Sequence, residues 1–426
     1  MKKLIVLFVV LLVCPLLFSN GTGEVQPNKP AKTVQITIWR PQNTAPIETW
    51  WKQMLDTFNE RYAGTYVASQ VTFPKGGAQG YEDKINTAVV AGSLPDLILV
   101  DGPAVASYAE AGIIVPLDGY LSKESKEDLL DSTLKQGSYD GKLYTLPLWE
   151  SSVGIFYDKD VLARANIDVP TTQSTAWTWN EFYEVVKKLK TDDRYGCTFH
   201  TNSGQITYYY SPMLVQNGTD LISADGSTTT GFLNSPKTVE FLTYLKRFYS
   251  EKLVNIEPTP TEFFDGKSAM LIGTCYQIST LRSKYPDKNW GVTYYPVSNA
   301  GKAGTPTGSW TIGMTTNAKD KEATFALLDY MTNTEANISG CPASGYLPPR
   351  HSSLAALSQF NEEPYRVFME QLSQNGVPRP RTPVWTMLNP MFNSLVMDVI
   401  TGSDPQEKLD EAASKIDADY AMNYAH

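Results

Sequence analysis

Two acidic residues, Asp101 and Glu150, are candidates for hydrolysis of a glycosidic bond. Asp101 follows a short apolar run, and Glu150 lies between Trp149 and Ser151. A pair of acids can hydrolyse a glycosidic bond when one donates a proton and the other activates water or attacks the sugar. Isolated acids are more often simply solvated, so a glycosidase is an alternative here and not the first hypothesis.

No metal, nucleotide or esterase chemistry is indicated. The three histidines, His200, His351 and His426, contain no pair at metal-ligand spacing. Gly21-Thr22-Gly23 precedes no predicted helix, and the sequence has neither a Walker phosphate loop nor a Gly-x-Ser-x-Gly nucleophile elbow. We therefore expect neither a metal nor a cofactor.

Composition limits the partners. With 426 residues, 42% of them hydrophobic, the chain is long enough to fill two cores. A formal net charge of -9 disfavours nucleic acids and anionic membranes. The 9 Trp and 24 Tyr residues supply flat faces that suit sugar rings, although such residues also fill cores.

The first 21 residues predict a signal peptide. Lys2 and Lys3 precede a mostly apolar run from Leu4 to Phe18, which is shorter than the roughly 20 residues of a membrane span. We expect cleavage near Gly21, a flexible leader over residues 22–32, and an exported protein, periplasmic or on the outer face of the cytoplasmic membrane. Removal of the two lysines makes the net charge -11.

Cysteine usage gives little support to an anchor or a disulfide. Cys14 resembles a lipid-attachment cysteine, but Val13 stands where that signal expects a small residue, so lipidation is not favoured. The remaining cysteines permit at most one disulfide, and we expect them to be buried thiols: Cys197, Cys275 and Cys341.

Local patterns alternate between strands and helices. Val34–Trp39 has the period of a strand and Ile47–Tyr62 that of a helix. A helix over Ile85–Ala91 ends at Gly92, and Asp96–Val100 is typical of a buried parallel strand. Such alternation predicts α/β layers.

Four further helices have recognisable patterns. Thr178 and Glu181 form a capping box for a helix through Leu189, and Ser235-Pro236 opens another. Helical spacing also covers Lys319–Thr332 and Gln406–Tyr420. The chain has no mid-chain linker that would separate two domains, so we expect two lobes built from interleaved segments.

Several motifs, in order along nearly the whole mature chain, resemble the family 1 extracellular solute-binding proteins of ABC importers, the group that contains maltose-binding protein. The strongest are Ala91–Asp96 with Ser107–Leu117, and Tyr139–Pro147 with Phe156–Leu162 and Thr178–Phe182. Later motifs agree in order and spacing: Phe264–Met270, Gly308–Met314 and Gly345–Arg350.

The resemblance implies a two-lobed periplasmic-binding-protein fold of type II, in which each lobe is a mixed sheet flanked by helices and the ligand lies in the cleft between them. The implied lobes are residues 33–146 with 291–340, and residues 147–290 with 341–426. The chain would cross between them at about Leu146–Trp149, Asn289–Val292 and Gly340–Pro342. It also implies that the protein is not an enzyme, and that a permease and an ATPase on other chains move the solute.

In such clefts, rings lie against the apolar faces of a sugar while acids, amides and Arg pair with its hydroxyls. The hydrogen-bonding candidates are Gln42, Asn43, Asp101, Glu150 and Ser151, and the stacking candidates are Trp149, Tyr276, Trp310 and Tyr346. Some have an ordinary alternative: Asn43 could serve a turn, Asp101 a helix cap, and Trp310 the core.

The stretch Arg379–Trp385 keeps a second ligand class open. It lies where related glycerol-phosphate binders place an anion-holding Arg, and Arg381 and Trp385 are its site candidates. A guanidinium can hold a phosphate through two parallel hydrogen bonds, or it can merely pair with a surface acid. A binder of glycerol-phosphate or another anionic polyol is therefore an alternative.

The first hypothesis is the extracytoplasmic substrate-binding component of an ABC importer, which captures a mono- or oligosaccharide by lobe closure and delivers it to the permease. We expect it to be a monomer that binds no nucleic acid. The alternative from another class is an exported glycosidase.

Overall fold

The computed structural model describes residues 33–74, 80–201 and 205–425. The predicted signal peptide, the leader and Cys14 lie outside these residues. In the ranges that are described, no helix has the length and apolar character needed to cross a membrane.

The strands form two larger sheets and two small ones. Their bounds are β1 (Val34–Pro41), β2 (Tyr66–Phe73), β3 (Leu97–Asp101), β4 (Ser138–Tyr139), β5 (Lys142–Leu143), β6 (Thr145–Pro147), β7 (Val153–Asp158), β8 (Tyr195–Thr198), β9 (Ser268–Thr274), β10 (Trp290–Thr293), β11 (Thr305–Thr307), β12 (Trp310–Met314) and β13 (Gly376–Pro378). One sheet has the order β2-β1-β3-β12-β6 and the other β10-β7-β9-β8. We call the parts of the chain built around them the first and the second lobe.

Helices flank both sheets. They are α1 (Ala45–Arg61), α2 (Tyr81–Ala91), α3 (Ala104–Glu110), α4 (Lys123–Glu127), α5 (Asp131–Gln136), α6 (Lys159–Arg164), α7 (Trp179–Leu189), α8 (Ile206–Asn217), α9 (Pro236–Ser250), α10 (Gln277–Lys284), α11 (Lys321–Thr332), α12 (Thr334–Ser344), α13 (His351–Ala356), α14 (Tyr365–Asn375), α15 (Trp385–Ile400) and α16 (Pro405–Asn423). Short 3₁₀ turns occupy Gln173–Thr175 and Ser358–Asn361.

Both larger sheets are mixed, as expected. In the first lobe β1 runs parallel to β2 and β3, while β12 is antiparallel to β3 and β6. In the second lobe β7 is antiparallel to β9 and β10, and β8 is parallel to β9. Strand β12 comes from far along the chain and lies between β3 and β6, so the first lobe is built from separate segments.

The local patterns explain where these elements begin and end. The first turn of α1 contains Pro46, and the helix buries Trp51 and Phe58 against the sheet. Helix α2 ends at Gly92, whose φ of 61° is in the left-handed region that glycine adopts without strain. The capping box of Thr178 and Glu181 opens α7, as predicted.

The chain passes between the lobes at a place where its segments lie side by side. The first passage joins β6 to β7, and the second joins β10 to β12. Isolated bridges connect Ser152 to Thr307 and Glu150 to Leu347, so the first passage touches both the second passage and the segment after α12.

Two expected crossings are displaced. Asn289–Val292 runs into β10 of the second sheet, so that passage begins only after Thr293. Gly340–Pro342 lies inside α12, and a Cβ on Gly340 would be 2.9 Å from the Trp50 ring, so this glycine serves the close packing of α12 on α1. The expected lobe boundaries at 290/291 and 340/341 thus fall inside a strand and a helix.

Candidate functional site

Asp101 and Trp310 lie side by side at the edge of the first sheet. Asp101 is the last residue of β3, a strand that is otherwise buried, and it is paired in register with Trp310 at the start of β12. Both side chains are partly exposed. Because ligands of α/β folds bind beyond the carboxyl ends of strands, this edge is a natural position for a site.

The turn that presents Trp310 needs a glycine. Gly308 has a φ of 103°, and a Cβ there would be 2.4 Å from Oε1 of Gln136. The Gln136 side chain donates to the Ser309 carbonyl oxygen at 2.7 Å and accepts from its N–H at 3.1 Å. The small residues before Trp310 therefore make room for Gln136. The Trp310 ring itself packs edge-on against Tyr81, with centroids 6.2 Å apart.

Arg379 holds Asp101 in a two-pronged ion pair. Its Nη1 and Nη2 donate to the two carboxylate oxygens of Asp101, each at 2.6 Å. The guanidinium carbon also lies 5.1 Å from the ring centroid of Tyr208 on α8 and 5.8 Å from that of Trp385 on α15. Arg379 thus connects an acid of the first lobe to aromatic rings of the second, with only 9% of its side chain exposed.

The neighbouring candidate Arg381 has a different environment. It is exposed, and its Nη1 donates to the carbonyl oxygens of Lys135 at 2.9 Å and Ser138 at 3.3 Å. It therefore contacts the first lobe away from the ion pair between Asp101 and Arg379. Arg379 and Arg381 flank Pro380, and their side chains have different partners. Arg379 binds the Asp101 carboxylate, whereas Arg381 binds backbone carbonyl groups. Trp385 is 4% exposed and belongs to the second lobe's core.

Glu150 is completely buried and fully engaged. Its Oε1 accepts from the backbone N–H groups of Ser151 and Gly308, both at 2.8 Å, and its Oε2 accepts from the Ser132 hydroxyl at 3.0 Å. Burial raises the pKa of the Glu150 carboxyl, while these hydrogen bonds and nearby Arg379 oppose the rise. The side chain therefore fixes the junction of the chain passages instead of facing solvent as a free acid.

Ser151 joins the same junction to the second lobe. Its hydroxyl donates to the Gly308 carbonyl oxygen at 2.8 Å and lies 2.7 Å from the Tyr208 hydroxyl. Tyr208 is itself the ring beneath Arg379. One chain of contacts thus runs from Glu150 and Ser151 through Tyr208 to the ion pair.

Three of the aromatic candidates are close together. Trp149 stacks face to face on Tyr346, with centroids 5.1 Å apart and planes 3° from parallel, and Tyr276 lies 5.5 Å from Tyr346. Trp149 is 2% exposed, whereas Tyr276 and Tyr346 are partly exposed. Trp149 therefore supports Tyr346 from behind, and the two tyrosines are the rings with surface left to offer.

Gln42 and Asn43 follow β1 at the same edge of the first sheet. Asn43 Nδ2 donates to the Pro41 carbonyl oxygen at 3.3 Å, and its backbone N–H donates to Oε1 of Glu48 at 2.7 Å. This is the turn arrangement that was the alternative for Asn43. Gln42 is exposed, and its backbone N–H donates to the Phe73 carbonyl oxygen at 2.8 Å.

The geometry brings together an acid, a guanidinium and several rings between the lobes. Sequence reasoning missed two members of this cluster, Arg379 and Tyr208. Arg379 belongs to the Arg379–Trp385 stretch, but the prediction named Arg381 as the ligand-binding arginine. Tyr208 is one of three consecutive tyrosines, Tyr208-Tyr209-Tyr210, and the sequence pattern does not indicate which of the three rings faces Arg379.

The arrangement offers little for catalysis or for a metal. Asp101 is paired with Arg379 and Glu150 with backbone, so the two acids of the glycosidase alternative are both occupied. Across the part of the chain that the structure describes, no three His, Cys, Asp or Glu side chains are grouped to hold a metal. The three described cysteines are free and buried, as expected: Cys197, Cys275 and Cys341.

Known proteins of similar sequence and structure include solute-binding proteins. The sequence profile of a family described as bacterial extracellular solute-binding protein matches residues 53–365. The galactooligosaccharide-binding protein of Bacillus subtilis is 24% identical over 336 residues, which cover 76% of each protein.

Two solved structures share the two-lobed fold. An ABC substrate-binding protein from Listeria monocytogenes, in complex with cycloalternan, matches with a TM-score of 0.77 and 22% identity over 91% of this chain and 99% of that one. A solute-binding protein of an ABC transporter from Thermotoga lettingae, bound with α-D-tagatose, matches with a TM-score of 0.79 and 21% identity over 91% of this chain and 100% of that one.

Proposed function

We propose that this chain, which belongs to the bacterial extracellular solute-binding protein family, is the substrate-binding component of an ABC importer and captures a mono- or oligosaccharide between its lobes. The similar proteins support a carbohydrate ligand, since they are a galactooligosaccharide-binding protein and proteins in complex with cycloalternan and with tagatose. In this proposal the chain works outside the cytoplasm as a monomer and delivers its ligand to a separate permease.

The observation that carries the proposal is the Arg379 cluster. Asp101 is paired with Arg379 of the second lobe, and the partly exposed Trp310 lies beside Asp101 on the neighbouring strand. Such groups pair sugar hydroxyls and cover apolar sugar faces. Asp101 is 31% exposed, so a hydroxyl-rich ligand can reach it. Hydroxyls that bridge Asp101 and Arg379 would keep both charged groups paired, which avoids the cost of leaving either one unsatisfied.

The hydrogen bonds that join the chain passages are compatible with a hinge at this place. Glu150 and Ser151 tie the passages to one another through short hydrogen bonds. Motion about a few residues there would bring Arg379 and Tyr208 toward or away from Asp101. We propose hinge closure of this kind as the mechanism of capture.

The arrangement favours a neutral sugar over an anionic polyol. Arg381, on which the phosphate alternative rested, bonds to backbone carbonyls. Arg379 is already neutralised by Asp101, so a phosphate would have to displace a carboxylate from two 2.6 Å hydrogen bonds.

A thermal-shift screen tests the proposal. The mature protein is heated in the presence of mono- and oligosaccharides, or of polyol phosphates such as glycerol 3-phosphate. A sugar present at 100 times its Kd should stabilise the folded state by about 2.7 kcal/mol, because it binds only that state. A shift by polyol phosphates alone, or release of cleaved sugar during incubation, would contradict the proposal.

A further inference from the structure

A cavity of about 480 Å³ lies on the second lobe, away from the Arg379 cluster. It runs beside β10, which is the edge strand of its sheet and is paired only with β7. Its other walls come from the loop at residues 169–171 and from the start of α14. Cavities of this size hold small ligands.

Three aromatic side chains line this β10 cavity: Tyr157, Trp290 and Tyr294. The Tyr157 ring lies across Gly291 of the neighbouring strand, where a Cβ would be 2.5 Å from the ring, so the glycine allows the ring to lie close to the backbone. The Tyr294 hydroxyl is fixed by a hydrogen bond to Glu370. The walls are therefore flat and held in place by the fold.

The charges around the β10 cavity are mainly positive. Lys159, Arg282 and Arg366 line it, together with one acid, Glu363. Arg366 is neutralised, because it pairs with Glu363 and with Glu370. Lys159 and Arg282 have no ion-pair partner among the described residues.

Arg282 is held beside the cavity by a ring. Its guanidinium carbon lies 5.6 Å from the ring centroid of Tyr365, the first residue of α14. The N-terminal end of that helix adds partial positive charge on the same side. The chain has a net charge of -9, but the surface beside this aromatic cavity carries two cations that have no ion-pair partner in the described ranges and is locally positive.

We propose that the β10 cavity is a second binding site, separate from the site between the lobes, and that it takes a small anionic carbohydrate such as a hexuronate. The sugar ring lies against Tyr157 and Trp290, and the carboxylate lies between Lys159 and Arg282. This arrangement satisfies both cations without displacing an existing ion pair.

Binding of glucuronate, measured by calorimetry at low ionic strength, tests the proposal, with glucose as the neutral probe. The variants are Arg282→Gln and Lys284→Gln, which make the same charge change at exposed positions of α10, but only Arg282 lines the cavity. Loss of a charge-assisted hydrogen bond should weaken glucuronate binding by about tenfold in Arg282→Gln. Lys284→Gln should leave it unchanged.

A third variant separates the two sites. Asp101→Asn alters the site between the lobes, so glucuronate binding to the β10 cavity should survive in it. Absence of glucuronate binding to the native chain, binding of glucose that is as tight, or equal effects of Arg282→Gln and Lys284→Gln would overturn the proposal. Loss of glucuronate binding in Asp101→Asn alone would assign that ligand to the other site and would overturn it as well.

Discussion

The ion pair between Asp101 and Arg379 should control how readily the lobes separate. The Arg379 side chain is 9% exposed and that of Asp101 31%. An exposed pair contributes at most about 1 kcal/mol, whereas breaking a buried pair costs about 3–5 kcal/mol. For this intermediate burial we expect Asp101→Asn to weaken the contact between the lobes by about 2 kcal/mol, which is about a 30-fold change in the equilibrium between joined and separated lobes.

Small-angle scattering of the ligand-free protein measures this effect. Asp101→Asn should increase the radius of gyration as the open form becomes populated, and the carbohydrate ligand found by the thermal-shift screen should reverse the increase to the extent that it still binds. The control is Lys288→Gln, which breaks the ion pair with Asp158 inside the second lobe, where the side chains are 11% and 18% exposed. It should lower the free energy of unfolding and leave the radius of gyration unchanged.

A double-mutant cycle decides whether the pair itself is responsible. Asp101→Asn and Arg379→Gln should have non-additive effects on opening, because each removes the same contact. An unchanged radius of gyration in both variants, with a coupling energy below about 0.5 kcal/mol, would refute the reasoning.

Three other predictions concern the junction, the stacking ring and the helix contact. Because burial raises the pKa of Glu150, its contribution to stability is present at low pH and is lost as pH rises through the folded pKa. The free energy of unfolding of the native chain relative to Glu150→Gln should therefore fall as the pH rises above the ordinary carboxyl pKa, measured in urea titrations at each pH. Trp310→Ala should weaken sugar binding by about 1–3 kcal/mol in calorimetry, since the apolar contact area between the ring and the sugar is lost. Gly340→Ala should lower the free energy of unfolding by about 1–3 kcal/mol in the same titrations, because its Cβ meets Trp50; Gly119→Ala, with open space around it, is the control.

Helices and strands could be predicted from the sequence where interactions between neighbouring residues determine them. The helix opened by Thr178 and Glu181 was predicted through Leu189 and ends there, since the capping box is a local interaction. The buried strand before Asp101 was recognised from its apolar run. The passages between the lobes were harder to predict. The resemblance implied one at Gly340–Pro342, but that stretch lies inside α12, where Gly340 packs against Trp50.

The site could be predicted only in part, because it depends on contacts between residues that are far apart in the sequence. Asp101 and Trp310 were predicted to lie at the ends of strands, and the structure pairs them in register. Glu150 was predicted as a second ligand-binding carboxylate, but it is 0% exposed and accepts hydrogen bonds from backbone N–H groups. Neighbouring residues do not reveal this, because one of its donors, Gly308, is 158 residues away.

The same separation explains why the sequence could not show which arginine pairs with Asp101. Arg379 and Asp101 are 278 residues apart, and only the packing of α15 and of the segment before it against the first lobe decides which of two nearby arginines meets the acid. Ser107 on α3 contributes to this packing, since its hydroxyl donates to the Thr382 carbonyl oxygen at 3.2 Å. A contact formed only when the lobes meet has no local signature. The same property suits Arg379 to sense a ligand, because the proposed lobe closure would change its environment.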